Sequence, residues 1–258
     1  MITSTKNPRI QHIRKLQRSS RLRRQEGILI IEGVRLIEVS HNAGWRPDLV
    51  LFSDDISQRG KLLLQQFTDK GVIVTQVTPH VMQAAGDTQT PQGILAVVPV
   101  LELSDPEEVN FLLVLDGIRD PGNLGTILRT AQAAGVDAVI TTPGTVDHFS
   151  PKVIRSGMGA HFKLPIHQYD WDKIQNLIIS YDLHVFTADS SNGLAPYETN
   201  LNYPLALIIG GEAEGASQEA VKLTNSILHI PMIGEIDSLN SAIAAAILMF
   251  EVLRQRSL

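Results

Sequence analysis

Two uninterrupted apolar runs, Phe111-Leu-Leu-Val-Leu115 and Leu205-Ala-Leu-Ile-Ile209, constrain this chain more than any other feature. Neither alternates apolar with polar residues. Each therefore reads as a strand buried on both faces, the habit of parallel sheets held between helical layers. Around them, helical stretches over 123–134, 151–158, 171–181, 217–223 and 240–254 alternate with strands over 138–141, 184–187 and 227–230. That alternation predicts an α/β unit with a mostly parallel sheet, whose ligands bind at the C-terminal ends of the strands.

The first 100 residues predict a separate, smaller α/β domain. Ile10, Ile13, Leu16 and Leu22 make a narrow helical stripe, and strands follow over 27–32, 48–52, 72–77 and 94–98, with helices over 33–42 and 61–70. From Pro99 to Asn110 the chain carries two prolines and four acids, with little apolar periodicity. The expected layout is a domain over 1–100, a linker over 101–110 and a larger domain over 111–258.

Charge is distributed unevenly. The net charge is −5, yet eight of the 22 Lys and Arg fall before Glu26, the first acid in the chain. The remaining 14 face all 27 acids. The basic start is either a contact for a polyanion or a solvated helix that keeps the terminus soluble. Cysteine is absent, which excludes disulfides, thiolate metal sites and a cysteine nucleophile. No stretch reaches the roughly 20 apolar residues of a membrane span, and no signal-peptide core is present. The expectation is a cytoplasmic protein.

Three loops follow strong strands and are rich in Gly, Asn, Ser or acid. The first is Asp116-Gly-Ile-Arg-Asp-Pro-Gly-Asn-Leu-Gly-Thr-Ile-Leu-Arg129. Here Asn123 stands where a helix begins, in position to cap it. Arg119 and Arg129 offer planar guanidinium forks for phosphate, or Arg129 simply pairs with Asp116 or Asp120. The second is Gly210-Gly-Glu-Ala-Glu-Gly215, whose glycines leave backbone groups unobstructed and whose acids suit a cationic ligand better than a pyrophosphate. The third is Ile230-Pro-Met-Ile-Gly-Glu-Ile-Asp-Ser-Leu-Asn240, with Ser238 or Asn240 in position to cap the last helix. Histidines are scattered without metal-ligand spacing, so no metal is expected. Neither a Gly-x-Ser-x-Gly elbow nor a dinucleotide fingerprint is present.

In this order and spacing, the three motifs DPGNLGTILRTAQAAG from Asp120, GGEAEG from Gly210 and IPMIGEIDSLNSA from Ile230 resemble the SpoU (TrmH-like) family of SPOUT RNA 2′-O-ribose methyltransferases. The likeness spans about Phe111 to Arg256. Residues around Glu26 and Thr90 look like the small substrate-binding domain preceding the catalytic domain in relatives. The resemblance implies a parallel sheet with a C-terminal trefoil knot, a homodimer, and S-adenosylmethionine as methyl donor. By position, Gly210, Ile230 and Leu239 would line the cofactor, with Gly211, Gly215 and Met232 nearby. Asn123, Arg129, Glu212, Ser238 and Asn240 match the polar catalytic positions. RNA contacts are expected from Lys6, Arg9, Arg14, Arg18, Arg21 and Arg119, with ribosomal RNA favoured and transfer RNA as the alternative. One departure is visible: after Ser-Leu-Asn the family often has a small apolar residue and then Ser, whereas Ser241 here precedes Ala242. Two rivals are a catalytically silent RNA-binding module and a nicotinamide-dependent enzyme, the latter disfavoured by the missing fingerprint.

Overall fold

The computed structural model describes every residue except Asp105, Ala213, Glu235 and Leu258. By internal contacts the chain divides into unit 1, Met1–Glu102 with Phe149–Phe162, and unit 2, Leu103–His148 with Lys163–Leu258.

Unit 1 opens with the basic stripe, folded as two helices, α1 (Pro8–Arg18) and α2 (Ser20–Glu26). The break falls at Ser19, which has extended backbone and whose hydroxyl accepts from the Leu22 amide to start α2. Ile10, Ile13 and Leu16 point into the core. Next come β1 (Ile28–Glu32), α3 (Val34–Asn42), β2 (Leu49–Phe52), α4 (Gln58–Asp69), β3 (Ile73–Gln76), α5 (Pro79–Ala85) and β4 (Ile94–Pro99). The four strands lie in the order β1-β4-β2-β3. β4 is antiparallel to both neighbours, and β2 and β3 are parallel. α4 starts ahead of the expected Lys61 because the Ser57 hydroxyl caps it through the Gly60 amide. The sequence pattern predicts no helix at α5, although proline in its first turn and buried Val81, Met82 and Ala85 are its signals.

Unit 2 begins with β5 (Phe111–Asp116), α6 (Pro121–Ala133) and β6 (Ala138–Thr141). The chain then returns to unit 1 for α7 (Pro151–Gly157) and a 3-10 turn over Ala160–Phe162. There the Trp45 indole donates to the Phe162 carbonyl at 3.3 Å and the two rings meet edge-on. The sequence order sets this segment in the second half, whereas its contacts group it with the first.

Unit 2 resumes with β7 (Ile166–Gln168), α8 (Trp171–Ser180), β8 (His184–Asp189), β9 (Leu205–Gly210), α9 (Gln218–Leu223), β10 (Ser226–His229) and α10 (Ser241–Arg256). β7, three residues long, is too short to show a period. The sheet order is β10-β8-β9-β5-β6-β7, and every adjacent pair is parallel. The two apolar runs are its central strands, as their unbroken hydrophobicity predicts. Leu113 and Leu207 lie in register with no exposed surface. Truncating either to alanine costs about 2–5 kcal/mol. Among the described residues no helix is long and apolar enough to cross a membrane.

Candidate active site

Parallel strands deliver their following loops to one edge of the sheet, and in unit 2 that edge gathers the three loops singled out in the sequence. Asp116, the last residue of β5, is in register with Gly210, the last of β9. The Asp116 side chain is buried, and both oxygens are engaged. Oδ1 accepts from the Thr142 hydroxyl at 2.9 Å and Oδ2 from the Ser217 amide at 2.7 Å. Ser217 in turn caps α9. Both ends of the loop over 210–217 are therefore fastened to the end of β5. Glycine is required for so tight a path. A Cβ on Gly210 would lie 2.2 Å from the Gly215 carbonyl carbon, and one on Gly211 would lie 2.6 Å from the Gly117 oxygen. Sequence reasoning found the glycines and missed Asp116. Its signal is an acid closing an otherwise apolar strand.

Asp120, not Asn123, caps α6. Its carboxylate accepts from the Asn123 amide at 2.9 Å, and the helix begins at Pro121. This corrects the expectation that Asn123 is the cap and leaves its side chain available. Asn123 Nδ2 donates to Glu212 Oε1 at 2.8 Å, while Asn123 Oδ1 accepts from Asn240 Nδ2 at 3.1 Å. Ser241 Oγ donates to the same Glu212 oxygen at 3.2 Å. Asn240 also caps α10 by accepting from the Ala242 and Ile243 amides. One network thus joins the starts of α6 and α10 to the loop after β9. Ser241, absent from the predicted set, is a direct partner in it. Burial alone would raise the Glu212 carboxyl. Hydrogen bonds from Asn123, its own amide, Ser241 and the Arg119 backbone outweigh that and hold it below the ordinary value of 4.5.

Beside this network lies a cavity of about 400 Å³. Gly210, Gly211, Gly215, Ile230, Met232 and Leu239 all line it, as do Glu212 and Ser238. The end of β8 adds Asp189 and the loop after it Ser190, which sequence reasoning missed although Ser190-Ser-Asn-Gly193 marks that loop as a turn. Asp189, Glu212, Glu214 and Asp237 put four carboxylates on the wall, and no Lys or Arg stands among the described lining residues. Such a wall repels a pyrophosphate and attracts a cation such as a sulfonium. The exposed glycine backbone and the apolar Leu228, Ile230 and Leu248 suit a flat heterocycle beside it.

Arg129, on α6, does not line this cavity. Its side chain is exposed and has no ion pair or side-chain hydrogen bond among the described residues. The alternative pairing with Asp116 or Asp120 does not form, since those acids hold other partners. Arg119 is also exposed, 3.6 Å from Glu214. In unit 1, Lys6, Arg9, Arg18 and Arg21 are exposed and Arg14 is half-buried. Arg23 is different: it is buried and donates to the Leu16 and Gln17 carbonyls at the end of α1. One of the eight early charges is therefore structural. Among the described residues no group of three or more His, Cys, Asp or Glu is placed to hold a metal.

Residues 110–250 match the SpoU rRNA methylase family. The chain belongs to that family. Its members are RNA methyltransferases that draw on S-adenosylmethionine, and this chain is one of them. Residues 7–96 match the MRM3-like substrate binding domain. Human mitochondrial rRNA methyltransferase 3 is 32% identical over 96% of this chain and 72% of its own length. The 23S rRNA (guanosine(2553)-2′-O)-methyltransferase RlmP of Bacillus subtilis is 32% identical over 97% of this chain and 98% of its own. Among solved structures, the SpoU methyltransferase AviRb from Streptomyces viridochromogenes, in complex with AdoMet, superposes with a TM-score of 0.87 at 26% identity, covering 97% of this chain and 99% of that one.

Proposed function

We propose that this SpoU-family chain methylates a ribose 2′-hydroxyl in ribosomal RNA. The observation that carries the reading is the acidic cavity at the sheet edge, with no Lys or Arg among its described lining residues, walled by two of the three family loops and bordered by the Asn123–Glu212–Asn240 network that binds the third to them. In this reading Gly210, Gly211, Gly215, Ile230, Met232 and Leu239 hold S-adenosylmethionine. When bound, that donor supplies a methyl group already activated on a sulfonium. The protein's part is to set the hydroxyl in line and stabilise the charge left on its oxygen.

Arg129 has the chemistry for the second task. Its guanidinium stays protonated, so it acts as a cation that grips the flanking phosphate and stabilises the developing alkoxide rather than as a base. Asn123 and Glu212 position the ribose side of the site, and Ser238 and Asn240 fix the cofactor loop. Lys6, Arg9, Arg14, Arg18, Arg21 and Arg119 supply phosphate contacts. Ribosomal RNA is favoured because relatives named as rRNA enzymes align over nearly the whole chain. A solved neighbour described for 2-OH methylation of C/U34 on tRNA covers only 57% of it.

The same reading includes a trefoil knot in the C-terminal segment and a homodimer. The dimer is supported by Ile243, Ile247 and Phe250, which stand exposed at i, i+4 and i+7 on α10 as an uncovered apolar face. A cytoplasmic location completes it, in keeping with a chain that has no cysteine. The test is a map of 2′-O-methyl sites in RNA from cells with and without this protein. One ribosomal site that disappears with the protein supports the reading, and a disappearance confined to tRNA replaces the substrate.

A further inference from the structure

Strand register in unit 1 sets Ile30, Val97, Leu49 and Ile73 in one row across β1, β4, β2 and β3. Residues in direct register share a face of the sheet. α1 packs over one end of this row, where Ile13, Ile30 and Val97 are all buried. The other end emerges uncovered: Leu49 is half-buried, and Ile73, on the edge strand, is 55% exposed. Here lies a notch of about 220 Å³ floored by Ile13, Leu49, Ile73 and Val97, with Arg9, His12 and Asp48 at its rim. His12 is bound to Glu26 at 2.8 Å. The side chains of Arg9 and Asp48 have no ion pair or hydrogen bond among the described residues. An apolar floor thus carries one available cation and one available anion.

We infer that this notch takes a single unstacked guanine of the RNA strand, a site that rests on the reading of the chain as an RNA-acting enzyme. Single-stranded RNA is recognised by laying splayed bases on apolar or planar surfaces and reading their Watson–Crick edges. The notch is smaller than the roughly 300–1,000 Å³ of a typical small-molecule site, and its floor is apolar, as a base face requires. A carboxylate only accepts, through two oxygens. Guanine alone offers it two adjacent donors, N1–H and the 2-amino group. Adenine and cytosine set their amino group beside a ring acceptor, and uracil flanks its one N–H with two carbonyls, groups that a carboxylate repels. Arg9 takes the phosphate next to that base, continuous with the basic surface of α1.

The full-length chain tests this by fluorescence anisotropy with three labelled pentamers, UUGUU, UUIUU and UUUUU, where I is inosine without the 2-amino group. UUGUU binds at least about 5-fold tighter than the other two, the low end for a good two-donor pair. Asp48→Asn abolishes that preference and leaves UUUUU affinity unchanged, whereas Arg9→Ala weakens all three. Equal affinities in the wild type, a preference surviving Asp48→Asn, or no binding to any pentamer overturns the proposal. A shift in sedimentation on Ile73→Asp also overturns it, by making the notch a contact between copies. Methyl transfer to ribosomal RNA in the same preparations separates the two readings. Transfer without guanine preference sinks the notch alone, and a preference without transfer sinks the enzymatic reading alone.

Discussion

Asn123 Nδ2 donates to Glu212 Oε1 across 2.8 Å, although 89 positions separate the two residues in the chain. The hydrogen bond exists because β5 and β9 are adjacent and parallel, so the helix after one begins beside the loop after the other. Glu212 is the shared acceptor, and Asn123 and Ser241 reach it from different helices.

The Glu212 carboxyl is held below 4.5 in the folded chain, mainly by donated hydrogen bonds that overcome its partial burial. A depressed carboxyl contributes fully above its unfolded value, and the contribution disappears as pH falls through the lower folded value. Folding stability is therefore flat on Glu212's account from pH 7 to 5 and declines only as pH falls below 4.5. Urea unfolding across pH checks this, and Glu212→Gln lacks the acid limb.

Arg129→Ala leaves cofactor affinity near wild type and lowers methyl transfer about 100-fold or more, the scale of losing one transition-state donor. Arg129→Lys recovers little, because an ammonium lacks the planar fork. Single-turnover rates measure both, and a rate within a few-fold of wild type rejects the assignment.

Asp116→Ala strips the Ser217 amide and the Thr142 hydroxyl of a buried acceptor. Urea unfolding registers a loss of about 1–3 kcal/mol, and S-adenosylmethionine affinity falls as the 210–217 loop loosens. Asp116→Asn retains an acceptor for Ser217 and recovers most of both.

The basic helices separate two kinds of arginine. Replacing exposed Arg18 and Arg21 with alanine flattens the log–log salt dependence of RNA binding by about 0.7 for each phosphate that is no longer neutralised. Arg23→Ala leaves that slope unchanged and lowers thermal stability, because its buried guanidinium holds the Leu16 and Gln17 carbonyls. Binding isotherms over a salt series, with melting curves, tell the two apart.

The central strands were legible from hydrophobicity together with length, since apolar runs of five residues such as Phe111–Leu115 and Leu205–Ile209 suit a buried strand and fall short of a helix. The three loops were legible from glycine and capping chemistry, and their convergence followed from the family resemblance. What the chain's order concealed was spatial. Asp120 took the capping role that the pattern offered to Asn123. The segment over 149–162 packs with unit 1 from within the second half of the sequence. The roles of Asp189, Ser190 and Ser241 arise only when β8 and α10 are set beside the loop after β9.

Calorimetry of S-adenosylmethionine with wild-type protein and Gly210→Ala tests the cavity most directly. A Cβ at Gly210 would meet the Gly215 backbone at 2.2 Å, which forces the loop apart. One donor molecule bound per wild-type chain, with binding abolished in a Gly210→Ala protein that still unfolds cooperatively, is the predicted result. Undiminished binding by that variant would place the methyl donor somewhere else in the molecule.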